Sequence, residues 1–204
     1  MAEKKVNEVY DLKGDDVQRA YYDDWARSYD QELVDLDYRT PGRCAAALSA
    51  TGLAKDAPIL DFACGTGLSG KALADAGYTV IDGTDISEGM LDEARKLGVY
   101  RDLHVGVVGH EPDIPPDTYQ AISAVGAISP GAAPATYLTT CLHALPKGGH
   151  MVVSFNEHIE DDPTYQQTLD KVIETGMAEL ISSEYGDHLP GRGTKSWVHV
   201  LRRL

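Results

Sequence analysis

The residues best placed to do chemistry lie in one short stretch, Ile59-Leu60-Asp61-Phe62-Ala63-Cys64-Gly65-Thr66-Gly67. An apolar strand start feeds a glycine turn, which lets the backbone approach a ligand closely while the following helix presents its N-terminal amides. Read literally, Gly65-Thr66-Gly67-Leu68-Ser69-Gly70 also satisfies the dinucleotide pattern G-x-G-x-x-G, which has many chance matches. Asp61 separates the two readings. A pyrophosphate is an anion that a carboxylate at the mouth of the turn repels, whereas a ligand carrying an amine or a sulfonium is attracted. The charge pattern therefore favours a cationic cofactor and leaves an NAD-dependent oxidoreductase as the minor alternative.

Positioning such a turn requires a sheet, and the chain supplies its signature. From Pro58 onward short apolar runs alternate with helical segments, the pattern of a parallel sheet wound by crossover helices. Strands are expected at Ile59–Phe62, Thr79–Gly83, Leu103–Val108, Ala121–Val125 and His150–Phe155. Helices are expected to start near Thr66, Ser87, Pro134 and Asp162-Pro163, with Ser87 as an N-cap and Pro163 at a first helical position. Two further extended runs, Leu180–Tyr185 and Ser196–Leu201, flank Gly186, Pro190, Gly191 and Gly193 and read as an antiparallel closing pair. Ahead of the sheet, Asp15 and Gln18 form a candidate capping box, and Tyr22, Trp25, Tyr29, Leu33 and Leu36 recur at helical spacing. A second helix follows Thr40-Pro41. The expected organisation is a flexible leader over 1–14 and a single domain over 15–204, with N-terminal helices over 15–54 and a sheet core over 55–204.

The segment Leu60–Gly67 resembles the first motif of the class I S-adenosylmethionine-dependent methyltransferases. Tyr22–Gln31, Tyr38-Arg39-Thr40-Pro41 and Val125-Gly126-Ala127-Ile128-Ser129 are similar, more narrowly, to the Williams-Beuren syndrome chromosome-region methyltransferase-like proteins. The resemblance runs from about Tyr21 to the C-terminus. It implies a Rossmann-like, doubly wound α/β fold: a mostly parallel seven-stranded sheet with helices on both faces and an N-terminal helical lid. The implied cofactor is S-adenosyl-L-methionine, with S-adenosyl-L-homocysteine as product.

The family's pattern, carried onto this chain, places the acid that holds the ribose hydroxyls at Asp85, in Ile81-Asp82-Gly83-Thr84-Asp85-Ile86-Ser87. Asp82 is the competing choice, and Asp85 is preferred because a helix start follows it directly. A plain helix-capping aspartate is the bland alternative. Asp61 would meet the cofactor's amino group directly or through water, and Ala63, Gly65 and Gly67 would pass close to the nucleoside. Ile86 would lie against the adenine, with Met90, Val125 and Gly126 completing the walls. After the third strand the family often has Gly-Asp, but this chain has Gly109-His110-Glu111, so His110, Glu111 or backbone groups would take that contact. Tyr22, Trp25 and Tyr29 are the lid candidates, or a merely structural stripe. Arg39 is a candidate partner for the cofactor's carboxylate, because a guanidinium fork matches that group. His158, just past the fifth strand, is the candidate general base. No metal-ligand spacing occurs.

Composition bounds the partners. The chain has 204 residues and a formal net charge of −14, which disfavours a nucleic acid, whose binders need basic patches. No apolar run approaches the roughly 20 residues that span a bilayer, and the N-terminus lacks a signal-peptide core. Cys44, Cys64 and Cys141 are widely spaced and read as buried thiols of a reducing compartment. The expectation is a monomeric, cytoplasmic methyltransferase with a small-molecule or protein acceptor, no nucleic acid and no membrane. A binding module or partner subunit without turnover is the rival reading.

Overall fold

The computed structural model describes residues 19–21, 23 and 30–204. The expected leader over 1–14 and the lid candidates Tyr22, Trp25 and Tyr29 lie outside the described residues. After a helical segment over 30–35, the chain runs through α1 (Thr40–Ser49), β1 (Ile59–Phe62), α2 (Leu68–Asp75), β2 (Ile81–Asp85), α3 (Glu88–Leu97), β3 (Asp102–Val105) and β4 (Ala121–Ala124). It continues with α4 (Thr136–Ala144), β5 (His150–Asn156), a 3-10 turn (Glu157–Asp161), α5 (Thr164–Glu174), β6 (Ala178–Leu189) and β7 (Thr194–Arg203).

The seven strands form one sheet in the order β3-β2-β1-β4-β5-β7-β6. Strands β1 to β5 pair in parallel, and the β6/β7 hairpin closes the sheet antiparallel against β5. The expected seven-stranded, mostly parallel sheet is thus present. Every residue of β1 and β4 is buried, as strands covered on both faces must be. Alternation then divides the core. Leu60 and Phe62 face a cluster with Leu138 and Leu142 of α4 and Leu169 of α5, whereas Ile59 faces Leu48 of α1 and Leu73 of α2.

The strand order reverses between β1 and β4, and at such a switch point the loops leaving the two strands diverge and open a crevice beyond their carboxyl ends. Two strand boundaries differ from expectation in a way that affects this crevice. β2 begins at Ile81 rather than Thr79 and ends at Asp85, which puts that carboxylate on the rim, while β3 stops at Val105, three residues early. The exposed Val105 and Val107 show why: beyond Val105 the run faces solvent at the sheet's edge, with no second face to bury.

The closing hairpin contains an unusual buried base. His199 of β7 is 5% exposed, stacked on Trp197 and edge-on to Phe155, and neither ring nitrogen has a hydrogen-bond partner among the described residues. Burial pushes its pKa down to about 4. The unfolded chain therefore binds a proton that the folded one refuses between about pH 6.5 and 4, and this contribution, on the order of 3 kcal/mol, is lost as pH falls through that window. Asp61, raised to about 6, acts with the opposite sign. The expected outcome is that a His199→Phe variant gains stability relative to the parent as pH drops from 6.5 to 4, measured by denaturant unfolding at each pH.

Candidate active site

A cavity of about 770 Å³ opens at the switch point. Its floor is the β1 turn (Ala63 to Thr66), one wall is the end of β2 with Ile86 and Met90, and another is the loop from His104 to Pro115. Val125, Gly126 and Tyr38 bound the far end.

Asp85 faces this cavity and ties it together. Its Oδ2 accepts the Gly65 backbone N–H at 2.9 Å, and its Oδ1 accepts the Ser87 N–H at 2.9 Å. Each oxygen has two lone pairs, so each keeps acceptor capacity for a ligand hydroxyl. Burial raises its pKa, the backbone amides of Ser87, Gly65 and Ile86 oppose the rise, and the nearby Asp23 charge adds to it. The expected N-cap is present: the Ser87 hydroxyl accepts from the Met90 N–H at 3.0 Å and donates to Asp23 Oδ1 at 2.5 Å. Asp82, the competing acid, is spent elsewhere, accepting from Arg101 Nε at 2.8 Å and from the Tyr119 hydroxyl at 3.0 Å.

Asp61 occupies a different place from the one expected. It is fully buried and off the cavity wall, with Oδ2 accepting from Ser69 Oγ at 2.6 Å and from the Tyr100 hydroxyl at 2.7 Å. Burial raises its pKa to about 6, against the hydrogen bonds from Ser69 and Tyr100, while its Oδ1 and the Ser123 hydroxyl have no hydrogen-bond partner among the described residues. It anchors the turn from beneath.

The glycine pattern acquires a specific reason. Tyr100 lies under the turn, so that a Cβ on Gly70 would meet its hydroxyl at 2.2 Å, and one on Gly67, whose φ is +95°, would meet Leu97 at 2.7 Å. The last glycine of the literal G-x-G-x-x-G pattern therefore admits a tyrosine, not a pyrophosphate. Ala63, by contrast, holds φ +50° with a side chain, a conformation that costs an L-residue roughly 1–2 kcal/mol.

Among the other expected residues, Ile86, Met90, Val125, Gly126, His110 and Glu111 line the cavity. The last two are exposed and fixed from below: Tyr137 donates to the His110 carbonyl at 3.0 Å, and Thr140 donates to Glu111 Oε2 at 2.9 Å. Arg39 and His158 stand apart from the cavity lining. Arg39 projects into solvent and pairs with Asp37 at 2.6 Å, while His158 is half-buried on the 3-10 turn, 3.6 Å from Asp161, and neither lines the cavity. Arg39 sits one step outside the crevice, next to Tyr38, whereas β5 and the 3-10 turn that carries His158 contribute no lining residue. Sequence reading gave Tyr38 no role within the Tyr38-Arg39-Thr40-Pro41 segment and missed Tyr100 under the turn and Tyr137 on the cavity wall, which arrive through tertiary packing.

A family model described as a methyltransferase domain matches residues 59–149. Methyltransferase-like protein 27 of Homo sapiens is 34% identical over 184 residues, covering 87% of this chain and 74% of that protein. The chain belongs to the class I S-adenosylmethionine-dependent methyltransferases. The methyltransferase uses S-adenosylmethionine as its cofactor, as the strand-turn motif led one to expect. It is also 36% identical over 113 residues to the 18S rRNA (guanine-N(7))-methyltransferase of Bos taurus, covering 53% of this chain but only 39% of that protein. The fold matches the solved magnesium protoporphyrin IX methyltransferase of Synechocystis PCC 6803 with bound SAM, at a TM-score of 0.71 and 18% identity, over 95% of this chain and 98% of that one.

Two substitutions test the turn. Gly70→Ala is expected to destabilise the methyltransferase by about 1–3 kcal/mol through overpacking against Tyr100. Ala63→Gly relieves the left-handed strain at a smaller entropic cost and is expected to gain up to about 1 kcal/mol, read as a rise in Tm of about 2–4 °C.

Proposed function

We propose that this methyltransferase binds the donor across the switch point with the ribose hydroxyls on Asp85 and passes the methyl to a small molecule or a protein side chain by direct displacement. The observation that carries this reading is the half-used Asp85 carboxylate, held by two backbone amides and still able to accept at each oxygen. Ala63 and Gly65 form the floor under the nucleoside, Ile86 and Met90 flank the adenine, and the His110-Glu111 loop covers it.

The bound donor supplies an already activated sulfonium methyl. The chain's part is to orient it, keep water out and hold an acceptor in line, which supplies much of the acceleration without a strong base. The position of His158 outside the cavity fits that economy. The carboxylates of Asp85 and Asp61 give the site a negative potential that suits a cation and opposes a pyrophosphate.

A net charge of −14 supports an acceptor other than nucleic acid. Among the described residues no helix is long and apolar enough to cross a membrane, and the three cysteines are free and buried, as in a reducing compartment such as the cytoplasm. Calorimetric titration with S-adenosylmethionine tests the central assignment. Asp85→Ala is expected to lower affinity about 100-fold or more, since two hydrogen bonds to a charged group are lost and the bridge from Gly65 to Ser87 goes with them, with thermal unfolding as the check that the variant is folded. Unchanged affinity would remove Asp85 from the ribose.

A further inference from the structure

The hairpin that closes the sheet keeps an aromatic pair in solvent. Register and alternation put Tyr185 and Asp187 of β6 on one face with Lys195, Trp197 and His199 of β7, the face whose Phe155 and Leu201 are buried against α5. Tyr185 and Trp197 lie beyond that cover, 47% and 41% exposed, with ring centroids 5.0 Å apart. Trp197 stands opposite Phe155, one residue before the end of β5, so the pair sits at the carboxyl rim of the sheet, where the donor crevice also opens. The hairpin is tied to the chain just ahead of α1 by the Arg39 N–H to the His188 carbonyl at 2.9 Å and the Gly191 N–H to the Leu36 carbonyl at 3.1 Å.

The charge around these rings is negative. Glu157 Oε1 accepts from the Tyr185 hydroxyl at 3.3 Å and from the Lys195 backbone N–H at 3.2 Å. Desolvation and then the charges of Glu157 and Glu160 raise the Tyr185 pKa, which places both carboxylates beside the phenol. The protein's own Lys195 ammonium lies 5.5 Å from the Tyr185 ring centroid, so the surface already takes a cation. His199 stacks on Trp197 with centroids 5.9 Å apart and is kept neutral by burial, so it adds no charge that would repel one. Ring faces edged by carboxylates complement a guanidinium, which stacks on aromatics and forks onto a carboxylate.

We propose that Tyr185, Trp197, Glu157 and Glu160 form a docking surface for an arginine-bearing segment of a protein, held at the rim beside the donor crevice. The inference rests on the donor-binding reading for what the docked protein is brought to, and it selects a protein over a small molecule as acceptor.

Fluorescence anisotropy with a labelled peptide of alternating arginine and glycine tests the surface. The parent protein is expected to bind this peptide and not its counterpart with glutamate in place of arginine. Trp197→Ala and the pair Glu157→Gln/Glu160→Gln are each expected to weaken binding about ten-fold, with thermal unfolding as the check on folding, while Trp197→Phe stays within about three-fold. With a formal net charge of −14, the chain attracts any cation at long range, so the control pair Asp56→Asn/Glu174→Gln removes the same charge from exposed positions at the opposite end of the sheet. It is expected to change binding less than about two-fold, the weak screened effect of distant surface charges. A parent that does not bind the peptide, parent-like affinity in Trp197→Ala, or an equal loss in the control pair would overturn the surface. Calorimetry with S-adenosylmethionine separates the two readings: peptide binding without donor binding would overturn the donor site alone, and donor binding without peptide binding the docking surface alone.

Discussion

The carboxylate of Asp85 ties together two loops that leave neighbouring, paired strands, beside the Cys64 N–H bond to the Thr84 carbonyl at 2.9 Å. One oxygen takes the amide of Gly65 in the turn after β1, the other the amide of Ser87 at the start of α3, so the side chain spans neighbouring strand ends. Both amides sit where the backbone leaves a parallel sheet and has no ladder partner, and an acceptor is needed there whether or not a ligand is bound. The shape of the crevice depends on this bridge. Because the bridge uses only one lone pair of each oxygen, the group that builds the site also keeps capacity to serve it.

Beneath that bridge a second acid does a structural job. Asp61 is buried against Ser69 and Tyr100, and Tyr100 in turn fills the space that the glycines leave empty. Turn, tyrosine and carboxylate form one unit: a side chain at Gly70 would displace the tyrosine, and without the tyrosine Asp61 would lose one of its hydroxyl donors. Burial raises the pKa of both acids, and each one's charge is held by hydrogen-bond donors.

Much of this was legible in the sequence because it is local. The apolar run into Gly65-Thr66-Gly67, the N-cap at Ser87 and the glycine-rich break before β7 each signal themselves within a few residues. The residues that stand elsewhere than expected do so for long-range reasons. Asp61 looked like a mouth residue because it precedes the turn, but strand alternation points it to the face covered by α1 and α2, where Tyr100 arrives from 39 residues away. Arg39 carried the attractive charge, yet the backbone turn at Thr40 leaves its neighbour Tyr38 on the cavity wall. His158 followed the right strand and was carried off by a 3-10 turn that no periodicity announces.

The central claim is that the ribose of the donor lies on Asp85 within the crevice between β1, β2 and β4. A crystal structure of the protein with S-adenosylhomocysteine tests it most directly. The account predicts both ribose hydroxyls within about 3.2 Å of the Asp85 oxygens while Gly65 and Ser87 keep their bonds to the same carboxylate. A nucleoside bound elsewhere, or one whose ribose avoids Asp85, would contradict it.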